Sequence, residues 1–275
     1  MNKKQGLKLF VLIGLVVKLL MLAGMVIISS GLTACTSRTV AIGSLQTTSE
    51  YVEVGGAESV EVAIEMGAGE LDVTGGASGL LDAEFTFNVP RWEPEVDYSV
   101  RNGNGRLTIK QPNTEGVNLP SSYRYEWDIQ LNDAVPLDLQ INVGASAGMI
   151  DLSGLNLQSL DLRSGAGDVE VRLGDTALET AVVEAGVGRL VLDLGGDWQQ
   201  DATIDVKTGI GDLTVRVPRD VDVEINTDLG IGDLEADGFA RRGGAYVHDA
   251  EGGSDVTLML DIDGGIGQIT LELVD

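Results

Sequence analysis

At 275 residues, with 37 glycines, 6 prolines and few aromatics, the chain can bury a sizeable core and is neither a Pro-rich linker nor an ordinary helical globule. Its formal net charge is −25; all four lysines of the first 34 residues precede any acidic residue, so the part from Cys35 onward sets 14 basic against 43 acidic side chains, a net −29. A surface this acidic repels phosphate backbones and excludes nucleic acid as a partner, while it admits divalent cations.

In chain order, residues 1–34 read as a lipoprotein signal peptide, with a helical apolar segment. Met1 to Lys18 is basic, Leu19 to Ile28 is an uninterrupted apolar run, and Ser29-Ser30-Gly31 leads into Leu32-Thr33-Ala34-Cys35. Those last four residues resemble the bacterial lipobox, whose cysteine is lipid-modified and becomes the first residue of the mature protein. Cys35 is the only cysteine, so it is the expected lipid anchor and no intrachain disulfide can form. An uncleaved membrane helix over Leu9 to Ile28 is the alternative. It would place Lys18 near the bilayer centre at a cost of roughly 2.5 to 3.5 kcal/mol. Either arrangement puts the body outside the cytoplasm. Residues 35–50, rich in Ser and Thr, read as a tether.

From residue 51 the sequence repeats itself. "GAGELDV", "GNGRLTI", "GAGDVEV", "GVGRLVL", "GIGDLTV", "GIGDLEA" and "GIGQITL" share the form Gly-x-Gly-polar-apolar-polar-apolar, and an alternating run precedes each. The glycine pairs are Gly67 and Gly69, Gly103 and Gly105, Gly165 and Gly167, Gly186 and Gly188, Gly209 and Gly211, Gly230 and Gly232, and Gly265 and Gly267. Each unit is expected to be a strand, a glycine turn with positive φ, and a second strand. The second glycines at 167, 188, 211 and 232 recur at solenoid spacing. The predicted fold is therefore all-β, a glycine-turned β-solenoid or stacked-strand array. Its core would contain Val169, Val171, Leu190, Leu192, Leu213, Val215, Ile269 and Leu271. The division is an amino-terminal β domain over 51–135 and a repeat domain over 136–275, continuous with it.

Chemical motifs are sparse. Gly144-x-Ser146-x-Gly148 has the spacing of a nucleophile elbow, and His248 is the one available base, so a serine hydrolase is an alternative. A strand rather than a helix follows Gly148, however, which makes Ser146 a turn residue and His248, in the Gly-rich insertion after residue 236, a loop residue. With one His and one Cys there is no metal cluster of those types. If successive units stack in sequence order, the residues after each glycine pair form a ladder Asp168, Arg189, Asp212, Asp233 at about 4.8 Å spacing. Arg189 then neutralises its neighbours, and Asp212 and Asp233 are left as adjacent carboxylates, a candidate weak calcium site.

The segment from Ile64 to Pro112 resembles the amino-terminal part of the toast-rack family of bacterial envelope proteins. Its "GAGEL" turn, "LLDAEF", the Asn88-Val89-Pro90-x-Trp92-x-Pro94 segment and "GNGRLTIKQP" carry the likeness. The later repeats are similar to domains described as adhesins. The resemblance implies a glycine-turned β-array, no catalytic residues and no cofactor, in a family that includes soluble domains of regulators of envelope stress. The expectation is a lipid-anchored binding or scaffolding protein of the cell envelope, facing outside the cytoplasm, with an unidentified protein or envelope polymer as partner. A surface adhesin is the alternative.

Overall fold

The computed structural model describes residues 38–39, 42–112, 117–118 and 122–275. The expected signal peptide and lipid-anchor residue Cys35 lie outside the described residues. In chain order the strands are β1 (Arg38–Thr39), β2 (Gln46–Val52), β3 (Ser59–Gly75), β4 (Leu81–Phe87), β5 (Glu95–Arg101) and β6 (Asn104–Lys110). There follow β7 (Val117–Asn118), β8 (Tyr125–Leu131), β9 (Leu137–Asp151), β10 (Leu157–Arg172) and β11 (Thr180–Asp193). The last are β12 (Ala202–Pro218), β13 (Asp222–Ala236), β14 (Ala240–Arg242), β15 (Ala245–His248) and β16 (Thr257–Val274). One 3-10 turn, Pro90–Trp92, lies between β4 and β5. β1 and β7 pair in parallel as a small unit of their own. The remaining strands form one 14-stranded sheet.

Seven long strands, β3, β9, β10, β11, β12, β16 and β13, lie side by side in that order as parallel rungs. Each rung bends at its glycine motif, and pairing continues on both sides of the bend. The glycine segments are thus corners within one strand, where turns between two strands were expected. Both halves of a rung send alternate side chains inward: Leu160, Leu162, Val169 and Val171 of β10 are all buried. A return loop runs from the end of one rung to the start of the next and closes the core with Leu173 and Leu178, or with Leu194 and Trp198 one rung later. All eight core residues predicted from the alternation are buried.

Stacking explains the corner glycines better than local conformation does. At the β3 corner neither Gly67 nor Gly69 has the expected positive φ, and from Gly165 onward only the second glycine of each pair has it, as at Gly167 (134°) and Gly188 (132°). A Cβ on either would fall on the carbonyl oxygen of the rung below, Ser146 for Gly167 and Gly167 for Gly188. The first glycines are excluded from carrying a side chain in the same way: a Cβ on Gly186 would strike the Gly165 carbonyl. The corner backbones pack too closely for any side chain to stand between them.

Two further sequence expectations need correction, and one holds. The "GNGRLTI" segment alone forms a turn between two strands, as expected of every unit. Asn102 (φ 53°) and Gly103 (φ 82°) form the two-residue turn of the β5–β6 hairpin, and Gly105 lies within β6. Asn-Gly between alternating runs is the usual signal for such a hairpin. The tether does not extend to Glu50, because β2 begins at Gln46 and pairs antiparallel with β4. The rungs also do not stack in sequence order: β16 lies between β12 and β13. The chain reaches β13 first, returns through the β14–β15 hairpin, and then inserts its final strand into the gap.

The ends of the array are finished differently. At the amino-terminal end both halves of β3 are covered, the first by β6 and the second by β8. At the other end β15 pairs with β13 only from Val223 to Ile225.

Candidate binding surfaces

The corners build a groove across the rungs. Gly67, Gly144, Gly165, Gly186 and Gly209 form its floor, and Asn142, Arg163, Glu184 and Lys207 line one side, enclosing about 710 Å³ of open space. Glycine keeps the floor bare because, from Gly144 onward, the position a Cβ would take is occupied by the carbonyl of the rung below. The flanking row follows the strand register: Arg163 pairs with Glu184, Glu184 with Lys207, and Lys207 with Asp263. Arg163 and Lys207 approach Glu184 at 3.3 and 3.9 Å. The groove thus presents charges of both signs beside a largely apolar floor.

Beyond the corner a second register-matched row alternates in sign, from Asp151 through Arg172, Asp193 and Arg216 to Glu272. Its contacts measure 3.4 Å for Arg172–Asp151, 3.4 Å for Arg216–Asp193 and 3.2 Å for Arg216–Glu272. The hydrogen bond to Glu170 holds the Arg172 guanidinium firmly protonated. Cross-strand pairs of opposite charge stabilise a sheet, so these rows help to fix the register.

The middle residue of each corner points outward and forms a ridge. In spatial order it reads Ala68, Ala145, Ala166, Val187, Ile210, Ile266 and Ile231. The last four are exposed, Ile231 by 67%. Neither the ridge nor the groove was named from sequence. The signal for the ridge was present in the variable position of Gly-x-Gly, whose residue type is free because it faces solvent.

The structure separates Ser146 from His248. Ser146 is buried at the β9 corner, with its Oγ 3.3 Å from the Ala147 carbonyl oxygen. His248 is in strand β15, not a loop, with Nε2 2.9 Å from the Arg219 carbonyl oxygen. Six strand-to-strand steps lie between β9 and β15, roughly 29 Å at 4.8 Å per step. The two cannot act as nucleophile and base, and the hydrolase alternative falls.

The ladder at the corners is also revised. Asp168 and Arg189 are adjacent as expected: the Arg189 backbone N–H donates to Asp168 Oδ1 at 3.1 Å and the guanidinium lies 3.3 Å from Oδ2. Gln268 of β16, however, pairs with Asp233 and so intervenes between Asp233 and Asp212. The adjacency that suggested calcium binding does not exist, and no metal-holding group of three acidic, His or Cys side chains occurs among the described residues. Like-charged neighbours are found elsewhere, at Asp228 beside Asp263.

Comparison with known proteins agrees with this architecture. A crystal structure of a "putative cell adhesion protein" from Clostridium sporogenes is 27% identical, covering 84% of this chain and 100% of its own, with a TM-score of 0.65. A "putative adhesin" from Bacteroides fragilis is 11% identical, covering 85% and 99%, with a TM-score of 0.40. No curated protein is significantly similar in sequence. The model of the N-terminal domain of toast_rack, DUF2154, matches residues 41–179 and 160–216. With most of its length matched, including the first five rungs and the aromatic segment around Trp92, the chain belongs to the toast-rack amino-terminal domain family.

Proposed function

We propose that the chain is an adhesin-like binding protein of the bacterial cell envelope, tethered through a lipid on Cys35 and facing outside the cytoplasm. The observation that carries this reading is the surface itself. A parallel array displays a charged groove and an aliphatic ridge side by side across successive rungs, while the one histidine lies six strands away from its serine-elbow motif. Repeat arrays commonly bind through such extended faces. The similarity to a protein named for cell adhesion supports the same reading, and the lipobox supports the anchor.

Three measurements test it together. Mass spectrometry of the mature chain should show a diacylated or triacylated Cys35 as its first residue, and Cys35→Ser should shed the protein from the cell surface. Cells lacking the protein, or carrying Cys35→Ser, should attach less well to their substratum than wild type. A chain that still begins at Met1 would contradict the anchor. Unchanged attachment in the deletion strain would contradict adhesion.

A further inference from the structure

The array ends on a strand that is only half covered. β13 is paired along its whole length with β16 on one side, but on the other side β15 stops at Ile225. Among the described residues no strand pairs with Thr227–Ala236 on that side. Every second residue of such a segment directs its backbone N–H and C=O outward, which makes a template for another strand.

We propose that this open half of β13 is a docking edge that receives an extended, basic segment of a partner protein as an additional strand. The proposal rests on reading the chain as a binding protein and adds where and what it binds.

Two features of the edge specify the occupant. The first is incomplete burial. In the neighbouring rungs the inward residues at these positions, Leu213, Val215, Ile269 and Leu271, are buried, whereas Leu234 and Ala236 remain partly exposed. A strand laid against β13 with apolar residues facing inward would complete that layer. The second is charge. Asp228, Asp233 and Glu235 are all exposed on this segment. A second copy of the chain would bring the same carboxylates against them, a like-charge pairing that destabilises a ladder. A segment with alternating Lys or Arg would instead neutralise them, as the alternating rows within the array already do. The covered half lies beside β15, whose outer neighbour β14 carries Arg241 and Arg242, the latter paired with Asp249 at 2.8 Å.

The probe is a seven-residue peptide of alternating lysine and valine, titrated into the full mature chain. Hydrogen exchange should show new protection confined to Thr227–Ala236, and affinity should fall as salt is raised. The double variant Asp233→Lys/Glu235→Lys should lose about tenfold or more in affinity. The milder Asp233→Asn/Glu235→Gln pair should lose less, and unchanged melting temperatures would establish that both variants fold. The matching glutamate–valine peptide should not bind. Equal binding of the two peptides, unchanged affinity in both double variants, or protection elsewhere would overturn the proposal. Protection of Thr227–Ala236 that rises with protein concentration alone would assign the edge to a second copy instead. Failure here leaves adhesion untouched, since adhesion is read from whole-cell attachment.

Discussion

From β9 to β16 the core is aliphatic apart from Trp198 in a return loop, and each layer repeats the one before it, Leu190 over Val169 and Leu213 over Leu190. The cap formed by β2, β4 and β8 is filled instead by Phe85, Phe87, Trp92, Tyr125 and Trp127, and the rings of all but Phe87 meet edge-on or tilted at 5.3 to 5.8 Å. The rungs gain from identical neighbours, so the demand falls on the glycines that let backbones stack. The cap has no repeat to continue; it ends the stack with antiparallel strands and large, individually fitted side chains. Damage should therefore spread differently from the two regions.

The largest effect is expected at a central corner. Gly188→Val combines a strained φ with a Cβ placed on the Gly167 carbonyl, and the cost should be on the order of 4 kcal/mol. Loss of the cooperative melting transition is the expected readout. Gly243→Val is the control, because it shares positive φ (64°) but meets nothing within 4 Å; its cost should be about 1 kcal/mol. Equal losses would show that φ alone, not stacking, requires glycine at the corners.

In the cap, Trp92→Ala should cost about 3 to 5 kcal/mol, but locally. Trp92 packs edge-on against Tyr125, and its carbonyl accepts the Tyr125 hydroxyl at 2.7 Å. Hydrogen exchange should speed up in β4 and β8 while β11 and β12 keep their protection. Uniform loss of protection would mean that cap and array melt as one unit.

Much of this division was legible beforehand, and what was missed has a physical reason. Period-two alternation with glycine pairs identifies each rung and its inward face, because burial forces the alternation. It cannot give the order of rungs: β12, β13 and β16 carry near-identical "GIGDL", "GIGDL" and "GIGQI" corners, and any of them fits beside any other. The inserted position of β16 depends on the reach of the β14–β15 hairpin, a property of the connection and not of the repeat. The pairing of Asp212 with Asp233 failed for that reason, while Asp168 with Arg189, lying on consecutive rungs in both senses, succeeded. The groove has no motif of its own, because its floor is backbone and its flanking side chains come from four separate strands.

Alkaline pH should separate the two regions more gently. Burial raises the pKa of Tyr125 in the cap far above the ordinary 10.0, and burial also raises that of Tyr98 in β5. A folded-state pKa above the unfolded one means that the folded chain holds its proton longer. The stabilisation is thus complete below about pH 10 and is lost as pH rises beyond it. Melting should shift downward above pH 10, and Tyr125→Phe should flatten that slope while costing about 1 kcal/mol at neutral pH for the lost hydrogen bond. A slope unchanged by Tyr125→Phe and Tyr98→Phe together would place its origin outside these two side chains.

The smallest expected effect concerns the rule by which the array sets its register. Along the groove the row reads Arg163, Glu184, Lys207, Asp263, and the next position in register is Asp228. Four members alternate in sign and the fifth, on the half-open strand β13, does not. If alternation stabilises the row, Asp228→Lys should complete it and raise stability by about 0.2 to 1 kcal/mol, an increment that shrinks in high salt because the side chain is exposed. Lys207→Glu, which breaks the same row between Glu184 and Asp263, should lower stability by a similar amount. Combined with Asp263→Lys, the same change restores alternation with both neighbours of Asp263, and stability should recover beyond the sum of the single changes. Strict additivity in that cycle would show that the charges act through the overall negative field and not through neighbouring rungs. The evident cost of keeping Asp228 acidic would then vanish, and with it one reason to see this last strand as shaped for a basic partner.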